Sequence, residues 1–124
     1  IKRPEGSHAG GLFAFPGGKV EEQDSSATEQ NILIQAVIRE VFEEVGLKLE
    51  DPIKYITSSY FTDQKGNSII DNIFHCKLKK THISINVSAR EVPEYYWLTY
   101  NEILKAKNSP EWLKKYMAEI KSFS

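Results

Sequence analysis

AVIREVFEEVGL, residues 36–47, decides how the rest of the 124-residue chain is read. At about 100° per residue, Ile34, Ile38, Val41 and Val45 fall in one narrow stripe, the pattern of a helix with one buried face. Gly46 stands where a glycine stop closes such a helix. Glu40, Glu43 and Glu44, at i, i+3 and i+4, are neighbours on another face. Like charges at that spacing cost about 0.2–0.5 kcal/mol per pair. Arg39 is the only cation within the cluster. A hard divalent cation such as Mg²⁺, which prefers oxygen ligands, would relieve the crowding. A plain solvated acidic face is the other reading of the triplet taken alone.

Upstream lies FPGGKVEE, residues 15–22. A surface turn needs one glycine at most, so Gly17 and Gly18 together imply a backbone that comes close to something. Before them, LFAFP (12–16) reads as a short aromatic strand. After them, EEQDSSATEQN (21–31) reads as a polar loop running into the helix, with Ser26 and Glu29 as a capping box. Beyond the helix, IKYITSSYFTD and SIIDNIFHCKL flank the turn signal QKGN and predict a β-hairpin. HISINV (82–87) alternates as a further strand would. EYYWLTY (94–100) reads as a strand that ends at a helix start marked by Thr99 and Glu102. A last helix follows, with Ser109 as N-cap and Pro110 at its first position. Trp112, Leu113, Tyr116, Met117 and Ile120 form its packing stripe. The whole predicts one α/β domain over residues 1–124. Ile1-Lys2-Arg3 reads as the end of a strand whose earlier part lies outside this sequence.

Composition narrows the function classes. The chain is 40% hydrophobic and 27% charged with a net charge of −1, which argues against nucleic-acid steering and a polybasic membrane patch. No apolar run approaches the roughly 20 residues of a membrane span, and no secretory signal pattern is seen. Cys76 is the only cysteine, so a disulfide framework and a thiolate metal cluster are excluded. The expected location is the cytoplasm. His8, His75 and His82 have no ligand-like spacing and read as structural or exposed. Cys76 reads as a small core residue.

Arg39-Glu40-Val41-Phe42-Glu43-Glu44-Val45-Gly46-Leu47, with the Gly-Gly-Lys entry upstream, resembles the signature of the Nudix hydrolases. That pattern is Gly, five residues, Glu, seven residues, then Arg-Glu-apolar-x-Glu-Glu-x-Gly-apolar. More weakly, the resemblance extends over nearly the whole chain, and EVPEYYWLTYNEIL is similar to the strand-then-helix segment that commonly follows. There is one departure. Counted forward from Gly18, the first glutamate position holds Asp24; counted back from Arg39, it holds Asn31. Seven extra residues separate the two halves. The first glutamate is thus replaced by Asp24 or lost, and with it the loop-to-helix brace it supplies. Both Asp24→Ala and Asn31→Ala are expected to be milder than Glu40→Gln.

The resemblance implies an α/β/α sandwich with a mixed sheet and hydrolysis of a diphosphate bond in a nucleoside diphosphate derivative. It implies Mg²⁺ or Mn²⁺ as cofactor, held by Glu44 and Glu40, with Glu43 third and a carbonyl from Gly18. Arg39 would hold a glutamate in place. The general base is left among Glu40, Glu91 and Glu94. Lys19 and Arg3 would meet phosphate, and Phe15, Tyr60, Phe74 and Tyr96 are candidates to line a substrate pocket. The partner implied is a small nucleotide, with no nucleic acid and no membrane; a homodimer is left open. The competing readings are a Nudix-fold module that binds a nucleotide or a partner without cleaving it, and an unrelated α/β protein.

Overall fold

The computed structural model describes residues 1–3, 11–20, 24, 32–79, 85–86 and 94–122. In chain order the elements are α1 (Ile32–Val45), β1 (Ile53–Thr62), β2 (Ser68–Cys76), α2 (Tyr100–Lys105) and α3 (Glu111–Ser122). Helices and a strand pair in one chain agree with the expected α/β class.

Val41 and Val45 of α1 are buried, as the stripe predicts, while Ile34 and Ile38 are half-buried. Ala36 is buried too, although it lies on the other side of the helix, so α1 is covered on two flanks. The helix stops where expected. Gly46 takes a left-handed φ of +70°, and its N–H closes the last turn on the Phe42 carbonyl at 2.9 Å. The proposed Ser26–Glu29 cap and Asn31 lie outside the described residues.

β1 and β2 form the predicted antiparallel hairpin, with Ile53 opposite Cys76 and Thr62 opposite Ser68. The turn is built by Asp63, whose Oδ1 accepts from the N–H groups of Lys65 (2.9 Å) and Asn67 (2.8 Å). Gly66 supplies the positive φ of +83° there. A bulge between Tyr55 and Thr57 turns Ile56 into the core. Tyr116 of α3 anchors the hairpin: its hydroxyl bonds Ser59 Oγ and donates to Asp71 Oδ2 at 3.2 Å.

Two predicted strands are not observed as strands. Residues 12–16 and 94–100 contribute one isolated bridge each, Phe13 and Glu94, both to Lys2. Backbone bonds from Ile1 and Arg3 to Ala14 and Leu12 align the chain there, but the Phe13 N–H goes to the Asn108 carbonyl at 2.8 Å. On that outer edge Phe13 meets a loop residue and not a further strand, and Pro16 with the glycine pair follows just beyond. Of HISINV, only Ile85 and Asn86 are described. They are not strand; Asn86 N–H instead bonds the Val45 carbonyl at the end of α1.

α2 begins at the predicted capping box. Thr99 Oγ1 accepts from Glu102 N–H, and Glu102 Oε1 accepts from Thr99 N–H. α3 begins one residue later than expected. The Pro110 carbonyl accepts from Lys114 N–H, so Pro110 precedes the first turn, and Ser109 Oγ has no partner among the described residues. Leu113 and Tyr116 carry the buried face of α3; Trp112 is 40% exposed at its edge. Among the described residues no helix is long and apolar enough to cross a membrane.

Candidate functional site

The glycine turn lies against the acidic face of α1. Gly17 N–H donates to Glu44 Oε2 at 3.2 Å. A Cβ added at Gly18 would fall inside the Glu40 carboxylate, whereas one at Gly17 would meet nothing within 4 Å. The close approach inferred from the paired glycines is therefore a contact between Gly18 and Glu40.

Arg39 ties the site together. Nε and Nη2 donate to the two carboxylate oxygens of Asp24, both at 3.1 Å. Nη2 also donates to the Lys19 carbonyl (2.8 Å), and Nη1 donates to Glu40 Oε1 (2.7 Å) and Glu43 Oε2 (3.1 Å). One planar guanidinium thus joins the glycine loop, Asp24 and the helix, a task that the point charge of lysine could not perform. The bond to Asp24 first, and then that to Glu40, holds the guanidinium firmly in its charged form.

Asp24 is the residue that sequence reasoning left off the site. It is 4% exposed and forms a two-pronged pair with Arg39. The brace is therefore present, supplied by an aspartate, despite the inserted residues. Asp24→Ala is therefore expected to cost stability, apart from its effect on activity relative to Glu40→Gln, because breaking a buried pair leaves a desolvated charge behind. The available signal was the spacing, since Asp24 occupies the first-glutamate position counted from Gly18.

Glu44 is a half-buried carboxyl whose pKa is pushed up to about 7. Burial is the main cause and the Glu40 charge adds to it; the Gly17 N–H and the Arg3 charge act the other way. Such a carboxylate gains most from a cation. Glu40 and Glu44, one helical turn apart and flanked by the Gly18 main chain, offer hard oxygen donors that fit Mg²⁺ or Mn²⁺. Among the described residues no three acidic, His or Cys side chains converge as a metal cluster. Glu43 is turned to Arg39 and its side chain is 47% exposed. One or two carboxylates, with the remaining positions filled by water and phosphate, is the usual Mg²⁺ arrangement.

The other candidates fall in several places. Arg3 is close enough for its charge to act on Glu44, and Lys19 is exposed on the glycine loop. Phe15, Phe74 and Tyr96 line a common cavity of about 350 Å³. Tyr60 does not line it; it is 68% exposed on the hairpin, its hydroxyl bonded to Ser68 Oγ. Glu94 is bonded to the Tyr96 hydroxyl and lies 4.0 Å from Lys2 Nζ. Glu91, His8 and His82 lie outside the described residues. Cys76 donates weakly to the Asp51 carbonyl, and burial pushes its thiol pKa up.

Gly18→Ala is expected to displace the Glu40 carboxylate and lower Mg²⁺ affinity about tenfold or more, while Gly17→Ala, with open space at its Cβ, leaves affinity within about twofold. Calorimetric titration of both variants checks this. Equal affinities would separate Gly18 from the metal site.

The model of the NUDIX domain matches residues 1–120 of the chain. An 8-oxo-dGTP diphosphatase of Proteus vulgaris is 29% identical over 92 residues, covering 58% of this chain and 76% of that protein. The human nucleoside diphosphate-linked moiety X motif 6 is 29% identical over 99 residues, covering 79% of this chain but only 29% of that protein's length.

Proposed function

The chain belongs to the Nudix family, and from that premise we propose that it is a metal-dependent hydrolase cleaving the diphosphate bond of a nucleoside diphosphate derivative. The observation that carries this reading is the seating of the Glu40 carboxylate on Gly18, with Glu44 one turn along and bonded to Gly17 N–H. A helix face that needed only solubility has no use for a glycine loop packed on its carboxylates. The names of the two relatives favour a nucleotide substrate. The reading includes one domain over residues 1–124, the α/β/α sandwich around a mixed sheet, and a cytoplasmic location.

In the reaction a water oxygen bonds to phosphorus as the bridging P–O bond breaks, giving two phosphate products, and the water's proton passes to a carboxylate or to solvent. When bound, Mg²⁺ or Mn²⁺ supplies charge neutralisation at the phosphate oxygens and lowers the pKa of water. Glu40, Glu44 and the Gly18 carbonyl would hold it, with Glu43 as a further carboxylate. Arg39 orients Glu40 and Glu43 and fixes the loop that carries Lys19. Lys19 and Arg3 offer positive charge to the phosphates. Glu40 is favoured over Glu94 as the proton acceptor, because it stands on the α1 face with Glu44, against the Gly18 main chain.

A phosphate-release screen over nucleoside triphosphates, oxidised nucleotides, dinucleoside polyphosphates and nucleotide sugars, with Mg²⁺ and with Mn²⁺, tests the reading. Turnover of at least one class, abolished by chelation, is expected. Tight nucleotide binding with no turnover under any condition would instead identify a binding module.

A further inference from the structure

The segment before α2 carries two aromatic residues, Tyr95 and Trp97, with no role so far. Lys2 is bridged to Glu94 on one side and to Phe13 on the other. Glu94 and Tyr96 share one side of this segment, since the Tyr96 hydroxyl bonds the Glu94 carboxylate and its ring packs on Phe13 at 5.2 Å. Tyr95 and Trp97 therefore project to the opposite side. The same alternation about Lys2 sends Ile1 and Arg3 to that opposite side. Arg3 is close enough for its charge to act on Glu44. Ile1 is bonded to Ala14, three residues before Gly17, whose N–H donates to Glu44. The side that holds Tyr95 and Trp97 is thus the side turned to the carboxylates of α1.

Both side chains are open. Trp97 is 61% exposed and Tyr95 is 42% exposed. A tryptophan that served only the core would have its large ring covered, because that area is what it contributes. Neither the Tyr95 hydroxyl nor the Trp97 Nε1–H has a hydrogen-bond partner among the described residues. An open indole face beside an unspent hydroxyl suits a planar ring with polar edges. Every nucleobase has a π-face to stack and edge atoms to bond, whereas a phosphate has no flat face to offer.

Resting on the hydrolase reading above, we propose that Trp97 stacks on the nucleobase of the substrate and that the Tyr95 hydroxyl meets the edge of the same base. Arg3, on the same side of the sheet, stands between this aromatic pair and the carboxylates that face the diphosphate.

The chain has two tryptophans, so Trp112→Phe leaves Trp97 as the sole indole reporter. Its fluorescence is titrated, in Mg²⁺, with the 5′-monophosphates of adenosine, guanosine, cytidine and uridine, and with ribose 5-phosphate, which lacks the base. At least one nucleotide is expected to quench it, and ribose 5-phosphate to leave it unchanged. For the nucleotide turned over fastest in the screen above, Trp97→Ala should raise KM about tenfold, the scale of a lost base stack, with kcat within about threefold. Trp97→Phe, which keeps a ring, should recover most of the loss. No quenching by any nucleotide, equal quenching by ribose 5-phosphate, or an unmoved KM in Trp97→Ala would overturn the inference and leave the hydrolase reading standing. Base-dependent quenching without turnover of any nucleotide would uphold the base site and overturn the hydrolase reading instead.

Discussion

Glu44→Gln is expected to lower turnover of any good substrate by about 100-fold or more while leaving the fold intact. The size follows from removing one electrostatic contributor to the transition state, about 2.7–4 kcal/mol in comparable sites. The fold survives because glutamine keeps an oxygen to accept the Gly17 N–H. The metal-free protein gains if anything. The Glu44 pKa in the folded state lies near 7, above its ordinary value of 4.5. The native state therefore binds more protons than the unfolded chain across that window, and stability falls as pH rises through it. Glutamine does not titrate, so the variant should be at least as stable as the wild type at pH 8 without metal. Mg²⁺ should raise the wild-type Tm and leave that of the variant nearly unmoved. Unchanged turnover, or an equal Mg²⁺ shift in both proteins, would remove Glu44 from the site.

The second large effect is expected on stability. Asp24→Ala leaves Arg39, whose side chain is 11% exposed, without its two-pronged partner. Breaking one side of a buried pair costs about 3–5 kcal/mol. The lower end applies here, because Arg39 retains Glu40, Glu43 and the Lys19 carbonyl. A guanidinium chloride unfolding series measures the loss. Asp24→Glu, which restores the carboxylate with one more methylene, should recover most of it. A cost under about 1 kcal/mol would mean that the pair is dispensable, the usual result for an exposed bridge.

Much of this site can be read in the sequence because it is local. Glu40, Glu43 and Glu44 share a face by helical spacing, and Gly46, Thr99 and the QKGN turn mark element ends through backbone preferences that act within a few residues. What escaped the reading depends on distant partners. Whether residues 12–16 and 94–100 form strands is decided by where their N–H and C=O groups go, and the Phe13 N–H goes to Asn108. Asp24 and Arg39 are 15 residues apart across an inserted segment, so no periodicity links them. The bulge that turns Ile56 inward is set by pairing with β2 and not by the pattern of β1 alone.

The shared guanidinium has one further effect. Asp24, Glu40 and Glu43 carry negative charge, joined by Glu44 as it ionises near pH 7, while Arg39 and Arg3 act on them and Lys19 stands exposed on the glycine loop. A polyphosphate approaching bare is drawn by Lys19 and Arg3 but repelled by the carboxylates, most strongly at close range. On the proposed metal-dependent reading, the carboxylates favour a ligand that arrives with its counter-ion or after it. In kinetic terms, nucleotide without divalent salt should behave neither as substrate nor as competitive inhibitor.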